Sequence, residues 1–394
     1  MRSKILPGVI EATRLTGSGR LGEAVAVIQR NLRGEAPAGP SRERALEPPT
    51  LDLVAERVAE TGPAPEPRPD PAAGPHRRGT AAGDLSAGLR DLAHQFGRTL
   101  GPLLDGAIPG SAEPAADTGM EERRFANAAG QRSYKLYVPG GYRGQAVPLV
   151  IMLHGCTQNP DDFAAGTGMN RVAEDETFLV AYPAQTAAAN HARCWNWFST
   201  ADQGRDRGEA SIVAGLTRAI MEDFTVDPRR VYVAGLSAGG AAAANLGAAY
   251  PDLYAAVGVH SGLCAGAAHD LPSAMMAMRQ GAAATPTGHG APPTIVFHGA
   301  RDTTVHPRNG AQVIAGAAVT ELRREEGQVS GGHAWQRTIY RDRHGRPDFE
   351  HWVIEGSGHA WSGGDPAGSY TDPQGPDASR EMWRFFSEHP RPRG

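Results

Sequence analysis

Ser237 lies between two glycines, at the point where an apolar run passes into an alanine-rich run. The residues before it, Arg230–Ala234, carry the β-branched and aromatic side chains typical of a strand, and a helical pattern follows. In a Gly-x-Ser-x-Gly turn between a strand and a helix, the glycines let the two backbones approach and the serine hydroxyl projects above the sheet. An ordinary glycine-rich turn is the alternative, but this setting favours Ser237 as a catalytic nucleophile.

A serine hydroxyl is a useful nucleophile at neutral pH only when a histidine takes its proton and a carboxylate orients that histidine. Two later strand-like runs end near such residues: Thr294–Phe297 leads to Asp302, and Glu350–Ile354 leads to His359. The order serine, acid, histidine, each just after a strand, is the order of the α/β-hydrolase fold. We therefore predict a catalytic triad of Ser237, Asp302 and His359.

The acid and the histidine each have a plainer interpretation. Asp302 is alternatively an aspartate that caps a turn, and His359 is alternatively a packed histidine. Asp365 and Asp372 are rival acids, but both follow the histidine in the chain. Two further histidines follow strands and are assigned structural roles, His260 and His298.

Acyl transfer also needs N–H donors for the negative oxygen of the intermediate. The amide after the nucleophile, that of Ala238, is the usual first donor. The strand-like run Leu149–Leu153 ends in His154 and Gly155, and the glycine lets the backbone turn and present the amide of Cys156. We predict Cys156 and Ala238 as the oxyanion hole. Cys156 is disfavoured as a nucleophile because no cysteine motif surrounds it.

Aromatic residues make up 6% of the chain, yet Trp195, Trp197 and Phe198 occupy three of four successive positions. This segment follows a strand end, where a loop overhangs the ligand-binding edge of an α/β sheet. Its rings are candidates for the wall of a cleft, with Trp361 on the opposite side. A hydrophobic plug for the domain's own core is a nearly equal alternative. We assign Trp195, Trp197, Trp361 and Gln158 to substrate binding.

Strand and helix patterns alternate over most of the chain after residue 119. Besides the runs named above, strands are predicted at Ser133–Val138, Phe178–Ala181, Ala255–Val259 and Gln336–Tyr340. Helices are predicted at Ala210–Phe224, Ala238–Ala249 and Asn309–Glu326. Such alternation is typical of an α/β fold with a mostly parallel sheet and helices on both faces. We predict one α/β-hydrolase catalytic domain over residues 119–390.

Two segments precede this domain. Residues 1–33 carry apolar side chains at helical spacings around a break at Gly17–Gly19, which predicts a helical hairpin. Residues 34–118 are rich in proline, alanine and glycine and poor in large apolar side chains, which predicts a disordered linker. Within the linker, Leu85–Leu104 has the apolar spacing of a transient or docking helix.

The composition excludes several classes of partner. The 394-residue chain has a formal net charge of −4, so no global positive field favours nucleic acid or an anionic membrane. No stretch reaches the roughly 18 apolar residues of a transmembrane helix, and the first residues lack a secretory apolar core, which predicts a cytoplasmic location. No Cys-x-x-Cys pair indicates zinc, and we predict neither a metal nor an organic cofactor. A disulfide between Cys156 and Cys194 stays open, although it is unusual in a reducing compartment.

Five segments together resemble the esterase family named for polyhydroxybutyrate (PHB) depolymerases, which includes feruloyl and acetyl-xylan esterases. The segments are His154–Gln158, Cys194–Phe198, Val231–Gly239, Phe297–Pro307 and Gly358–Trp361. The resemblance implies a serine esterase with the same triad and oxyanion amides, and a tryptophan-bearing loop that grips an extended ester. It also implies a polyester or small ester as substrate. The helical start and proline-rich linker are similar to the front ends of intracellular bacterial members.

These observations favour a carboxylic-ester hydrolase that cleaves hydroxyalkanoate polyester or its oligomers through an acyl-enzyme. The alternatives on the same fold are a feruloyl esterase, an acetyl-xylan esterase or an esterase for other polyesters, including aromatic ones. A hypothesis of a different class makes the first 118 residues a module that docks the chain to a polymer-granule surface or a partner protein, with hydrolysis secondary.

Overall fold

The computed structural model describes residues 119–283, 292–317, 319–342, 344–346 and 348–392. The helical hairpin predicted for residues 1–33 and the linker predicted for residues 34–118 lie outside the described residues. The regular elements begin at Glu121 and end at Glu388.

Twelve strands lie along the described residues: β1 (Glu121–Asn127), β2 (Gly130–Tyr137), β3 (Val147–Leu153), β4 (Leu179–Pro183), β5 (Val226–Leu236), β6 (Ala256–His260), β7 (Thr294–Gly299), β8 (Thr320–Gln328), β9 (Ala334–Arg341), β10 (Phe349–Ile354), β11 (Trp361–Ser362) and β12 (Thr371–Asp372). Ten of them form one sheet in the order β1-β2-β4-β3-β5-β6-β7-β10-β9-β8, and β11 pairs with β12.

The middle of the sheet is parallel, and its edges are antiparallel. Strands β4, β3, β5, β6, β7 and β10 run parallel to one another. Antiparallel pairs add β2 and β1 at one edge and β9 and β8 at the other. Strand β3 is buried at every position, as expected for a parallel strand that is covered on both faces. The predicted mostly parallel sheet is confirmed.

Eight helices cover the described part of the sheet and its loops: α1 (Pro160–Thr167), α2 (Met169–Glu176), α3 (Thr200–Gln203), α4 (Gly208–Asp223), α5 (Ala238–Ala249), α6 (Leu271–Gln280), α7 (Arg308–Ala315) and α8 (Ala378–Glu388). None of the helices in the described ranges combines the length and the hydropathy that a membrane crossing needs.

Two hydrophobic clusters lie on opposite faces of the sheet. Leu149 and Ile151 of β3 pack with side chains of α4 and α5, whereas Val150 and Met152 pack with side chains of α1 and α8. Successive side chains of a strand point to opposite faces, so one apolar strand contributes to both clusters. Helices on both faces, as predicted, are confirmed.

The predicted helix Asn309–Glu326 is wrong in its second half. The helix ends at Ala315, and the chain then forms the edge strand β8. The charged residues of this segment favour a helix by intrinsic propensity. Strand β9, however, offers a hydrogen-bonding partner along the segment, and this tertiary pairing outweighs the local preference. Strand β1, which the sequence did not predict, likewise depends on pairing with β2.

Candidate active site

Ser237 occupies a sharp turn between β5 and α5. Its φ of 58° and ψ of −119° lie outside the regions that residues with a Cβ prefer; such a conformation costs about 1–3 kcal/mol and is common at functional sites. The turn is held by the Ser237 N–H, which donates to the carbonyl oxygen of His260 at 2.9 Å. The serine therefore lies at the carboxyl end of a central strand, as the sequence predicts.

Gly235 and Gly239 make this turn sterically feasible. A Cβ on Gly239 would lie 2.0 Å from the carbonyl oxygen of Leu153. A Cβ on Gly235 would lie 2.4 Å from the backbone of Gly239. Both distances are far below van der Waals contact, so any side chain at either position would displace the backbone around the serine.

Asp302 and His359 meet at the same edge of the sheet. The His359 Nδ1 lies 2.7 Å from Asp302 Oδ2, although 57 positions separate the two residues. Asp302 follows β7 and His359 follows β10. These strands pair in parallel, so the loops after them lie side by side. The other carboxylate oxygen of Asp302 accepts hydrogen bonds from the N–H groups of Thr304 and Val305 at 2.9 and 2.8 Å. The carboxylate thus holds the Nδ1 side of His359 and leaves Nε2 for another partner.

The Asp302 carboxylate is buried, with 4% of the residue exposed. Burial by itself would raise its pKa, but the charge and hydrogen bond of His359 and the His298 ring, whose Nε2 lies 3.4 Å from Asp302 Oδ2, outweigh burial, so that the pKa lies well below its ordinary value. Asp302 therefore stays ionised at neutral pH. An ionised carboxylate at this place favours the His359 tautomer with its proton on Nδ1.

Three buried histidines lie on the strands and loop around this pair. His298 Nε2 donates to the carbonyl oxygen of Val305 at 2.8 Å, and His260 Nε2 accepts from the N–H of Ser362 at 2.9 Å. Burial lowers the pKa of His260, and it lowers that of His351 to about 4. Across the described ranges, no group of three or more His, Cys, Asp or Glu side chains is placed to hold one metal ion.

Ser237 and His359 line one cavity. Gly155 and Cys156, at the end of β3, line the same cavity. Ala238 is the first residue of α5, directly after the serine, and it is buried. Amides of the first helical turn have no acceptor within their own helix. The structure thus brings Ser237, His359 and Cys156 to one cavity, with Ala238 directly after the serine. The oxyanion hole stays a prediction.

Cys156 forms a disulfide with Cys194. The bond joins the segment after β3 to the tryptophan-bearing loop, and beside it the Thr157 N–H donates to the carbonyl oxygen of Ala192 at 2.7 Å. The sequence left this pairing open. The third cysteine, Cys264, is buried, and burial raises the pKa of its thiol to about 11.

The prediction that Trp195 and Trp197 bind substrate is corrected by their burial. The two residues are 1% and 6% exposed, and both belong to a hydrophobic core cluster. They line a second, separate cavity beside α4 and α5, together with Glu209 and Asn245. The alternative weighed from the sequence, a plug for the domain's own core, describes their position.

Glu209 fastens this loop to α4. Its carboxylate accepts from the N–H of Asn196 at 2.7 Å, from the Asn196 side chain at 2.9 Å and from Arg132 at 3.0 Å. The Gln185 side chain donates to it as well. Burial raises the pKa of Glu209. Sequence reasoning missed this residue because a single acid at a helix start is normally solvated.

Trp361 and Gln158 are also buried rather than in the cavity wall. The Trp361 ring stacks on His260 at 4.9 Å between centroids and meets Phe163 edge-on at 5.6 Å. Gln158 is 3% exposed, and its Oε1 accepts from the N–H of Gly155 at 2.9 Å. Their assignment to substrate binding is therefore corrected: Trp361 packs in the core, and Gln158 holds the turn after β3.

Three cavity-lining residues were missed at the sequence level: Met278, Thr304 and Tyr370. Met278 belongs to α6, and Tyr370 lies between the short strands β11 and β12. Thr304 follows Asp302 in a loop that the sequence did identify. Neither Met278 nor Tyr370 follows a predicted strand, so no pattern in the sequence indicated them.

Residues 132–322 match the family described as "Esterase PHB depolymerase". The match covers slightly less than half of the chain and shows a likeness to that family. The matched segment contains Cys156, Ser237 and Asp302, and His359 lies beyond its end. The predicted resemblance is confirmed.

Curated relatives carry depolymerase and esterase names. The chain is 31% identical over 239 residues to "Poly(3-hydroxyalkanoate) depolymerase C" of Paucimonas lemoignei, covering 57% of each chain. It is 33% identical over 132 residues to "Poly(3-hydroxybutyrate) depolymerase" of Ralstonia pickettii, covering 32% of this chain and 26% of that protein. It is 27% identical over 220 residues to "Feruloyl esterase B" of Thermothelomyces thermophilus, covering 50% of this chain and 73% of that protein. The alignments therefore span about half the length of the Paucimonas depolymerase and about a quarter of the length of the Ralstonia depolymerase.

A solved structure, "Acetyl xylan esterase from Aspergillus awamori", superposes with a TM-score of 0.54. It is 19% identical and covers 68% of this chain and 99% of that chain. A likeness at this identity establishes the fold alone. With the sheet order and the turn at Ser237, it confirms the predicted α/β-hydrolase fold.

Proposed function

We propose that this chain is a serine hydrolase of carboxylic esters, with Ser237 as nucleophile, His359 as base and Asp302 as the acid that orients the base. The observation that carries the proposal is the 2.7 Å contact between His359 Nδ1 and the buried, ionised Asp302, beside a cavity that His359 shares with Ser237. The match of residues 132–322 to the PHB depolymerase esterase family supports the same chemistry.

In the first step, Ser237 Oγ attacks the ester carbonyl carbon while Nε2 of His359 takes the hydroxyl proton. The carbonyl oxygen becomes negative, and the amides of Cys156 and Ala238 donate hydrogen bonds to it. The carbon–oxygen bond to the alcohol then breaks, and His359 returns the proton to the leaving alcohol. The acyl group is left as an ester on Ser237.

In the second step, water replaces the alcohol. His359 takes a proton from the water as the water attacks the acyl-enzyme, and the same amides stabilise the second negative oxygen. As the bond to Ser237 breaks, His359 returns the proton to Ser237 Oγ, which releases the carboxylic acid and restores the hydroxyl. Asp302 keeps its charge throughout and stabilises the imidazolium that forms twice in each cycle.

The chemistry is tested by replacing the nucleophile. In Ser237→Ala, turnover of p-nitrophenyl butyrate should fall by up to about 10⁶-fold, as for other serine hydrolases. Labelling by a fluorophosphonate should disappear with it. The temperature of unfolding serves as the control and should not fall, because only a small hydroxyl is lost. Residual turnover within tenfold of the unaltered chain would refute the assignment.

We further propose that the substrate is a hydroxyalkanoate polyester or its oligomers. The names of two curated relatives support this class. The apolar side chains of Leu236 and Met278 in the cavity wall suit an aliphatic acyl chain.

A second candidate is a feruloyl or acetyl-xylan esterase. It is supported by curated relatives with these names, among them "Acetylxylan esterase A" of Talaromyces purpureogenus, which is 26% identical over 202 residues. A rate panel of hydroxybutyrate oligomers, amorphous polyester, an aromatic polyester, methyl ferulate and acetylated xylan separates the candidates. The highest kcat/KM on hydroxybutyrate oligomers supports the first candidate; the highest value on ferulate or xylan overturns it.

We also propose, from the sequence alone, a cytoplasmic location and contact with polymer granules through residues 1–118. Deleting these residues should leave turnover of p-nitrophenyl butyrate unchanged and abolish co-sedimentation with granules. Unchanged co-sedimentation would overturn the docking proposal without touching the esterase assignment. The Cys156–Cys194 disulfide is a bond more typical of oxidising compartments, which makes thiol titration of the freshly isolated chain a direct check on the location.

A further inference from the structure

His154 lies under the segment that lines the cavity, and both of its ring nitrogens contact backbone groups. Its Nδ1 is 2.7 Å from the carbonyl oxygen of Gly155. Its Nε2 is 3.1 Å from the backbone nitrogen of Gln185. The ring is 1% exposed and packs against Trp195 at 5.7 Å between centroids, on the core side of the turn.

The contacts with Gly155 and Gln185 are compatible with only one neutral tautomer of the His154 ring. The backbone N–H of Gln185 only donates, so Nε2 of His154 must carry a lone pair. The carbonyl oxygen of Gly155 only accepts, so Nδ1 must carry the proton. Burial lowers the pKa of His154 to about 4, so that the ring is neutral at neutral pH. The structure therefore specifies the Nδ1–H tautomer.

The carbonyl that Nδ1 holds belongs to the same peptide unit as the Cys156 N–H. A trans peptide unit is planar, and its C=O and N–H point in opposite directions. Anchoring the Gly155 oxygen on the core side therefore directs the Cys156 N–H to the other side. Glycine restrains its own backbone less than any other residue, so the conformation of Gly155 alone does not set the direction of this peptide.

We propose that His154 is a positioning residue for the oxyanion hole, which holds the Gly155–Cys156 peptide with its N–H toward the reacting oxygen. The inference rests on the proposed function, because it assigns a support to one of that site's donors. Rotation of this peptide would exchange the donor for a carbonyl oxygen, which repels a negative charge.

Gln185, whose N–H contacts the His154 ring, is itself held in place by hydrogen bonds. The Gln185 side chain donates to the carbonyl oxygen of Cys194 at 3.0 Å and to the buried carboxylate of Glu209. These bonds orient the residue whose N–H selects the tautomer. The preceding peptide is held by Gln158, whose Oε1 accepts from the Gly155 N–H.

Two variants of His154 separate positioning from packing. In His154→Asn, the side-chain amide nitrogen takes the place of Nδ1 and still donates to the Gly155 oxygen, but the Gln185 N–H loses its acceptor. In His154→Gln, the side-chain oxygen takes the place of Nε2 and still accepts from Gln185, but the donor to Gly155 is lost. Both variants should therefore lose stability, since each leaves one buried backbone group unpaired, but only His154→Gln should lose the activity that depends on the Gly155 contact.

We expect kcat for p-nitrophenyl butyrate to fall by about 10²–10³-fold in His154→Gln, the usual effect of losing one oxyanion donor. KM should change little, because the donor acts on the transition state. His154→Asn should keep kcat within about tenfold of the unaltered chain, although both variants should unfold at a lower temperature because each leaves a buried backbone group unpaired. Equal losses of kcat in the two variants, or unchanged turnover in His154→Gln, would overturn the proposal.

A second measurement needs no variant. Nitrogen NMR of the ¹⁵N-histidine-labelled chain, assigned with His154→Asn, reports which ring nitrogen carries the proton. A proton on Nδ1 supports the proposal, and a proton on Nε2 overturns it. If the unaltered chain hydrolyses no ester and binds no fluorophosphonate, the proposed function fails instead, and the NMR result still decides the state of the ring.

Discussion

At the scale of single residues, the contact between Asp302 and His359 carries most of the proposed chemistry. The carboxylate is buried and receives two backbone N–H groups on one oxygen and the His359 ring on the other. Such a carboxylate has one orientation, and it imposes one tautomer on the histidine. Nε2 of His359, which lines the same cavity as Ser237, is then the unprotonated nitrogen that general-base catalysis requires.

Replacing Asp302 by Asn should therefore lower kcat by about 10⁴-fold, by analogy with the serine-protease triad. The amide cannot keep the proton on Nδ1 as a carboxylate does. The measurement is kcat for p-nitrophenyl butyrate near pH 8. Asp365→Asn is the matched control, because Asp365 pairs with Arg171 at 3.0 Å, outside the cavity. A loss below tenfold in Asp302→Asn would redirect the assignment to another carboxylate.

At the scale of elements, the loop that carries Trp195 and Trp197 is fastened from two directions. The disulfide joins it to the segment after β3, and Glu209 binds it from α4. Its tryptophans thereby serve as core side chains. The loop therefore supports the segment after β3, which lines the cavity, and its effect on catalysis is indirect.

Glu209→Gln should lower the free energy of unfolding by about 3–5 kcal/mol, because removing one partner leaves the Arg132 charge buried and uncompensated. The two side chains are 9% and 8% exposed, so solvent screens the pair little. Urea denaturation followed by tryptophan fluorescence measures the change. Glu222→Gln, on the exposed side of the same helix, is the control and should shift the free energy by less than about 0.5 kcal/mol. Equal effects in both variants would contradict the buried-pair interpretation.

Helix α6 contributes one side chain, Met278, to the cavity wall. Met278→Ala should widen the cavity and favour longer acyl chains. The ratio of kcat/KM for p-nitrophenyl octanoate to that for the butyrate should rise by about tenfold, the usual scale of one or two methylene contacts. Met276→Ala, two positions away and 52% exposed, is the matched control. An unchanged ratio in Met278→Ala would show that another wall limits the acyl chain.

At the scale of the whole molecule, buried neutral histidines make stability depend on pH. The pKa of His154 and that of His351 are lowered to about 4 by burial, against 6.5 for an ordinary histidine. Between these values the unfolded chain binds a proton that the folded chain does not. Stability should therefore fall as the pH drops from about 6.5 to about 4, and this contribution should level off below that range.

His351→Gln should flatten this dependence, since one lowered pKa is removed. Each such histidine contributes a slope of up to about 1.4 kcal/mol per pH unit. The ring of His351 faces Gly310 and lies near His298, away from the cavity. The free energy of unfolding, measured in urea at several pH values from 4 to 7, gives the slope. The exposed His269→Gln is the control and should keep the full slope; an unchanged slope in His351→Gln would contradict the expectation.

Much of the fold is local in origin and was predictable. Apolar runs such as those of β3, β5 and β7 predict strands from a few residues, and the glycines around Ser237 predict a strand-to-helix turn. Strand β8 was not predictable, because its charged sequence favours a helix and only the neighbouring β9 makes it a strand. The pairing is a property of distant residues, which a local pattern does not contain.

By itself, the sequence determined that a serine, an acid and a histidine each follow a strand, in the order that an α/β-hydrolase requires. Only the tertiary structure decided which side chains surround them. Trp195, Trp361 and Gln158 resemble cleft residues in the sequence, but burial places them in the core or against the backbone. His154, Met278 and Tyr370 acquire their places from contacts with distant segments. Chain order and turn chemistry are local, whereas burial and side-chain contacts depend on how remote elements pack.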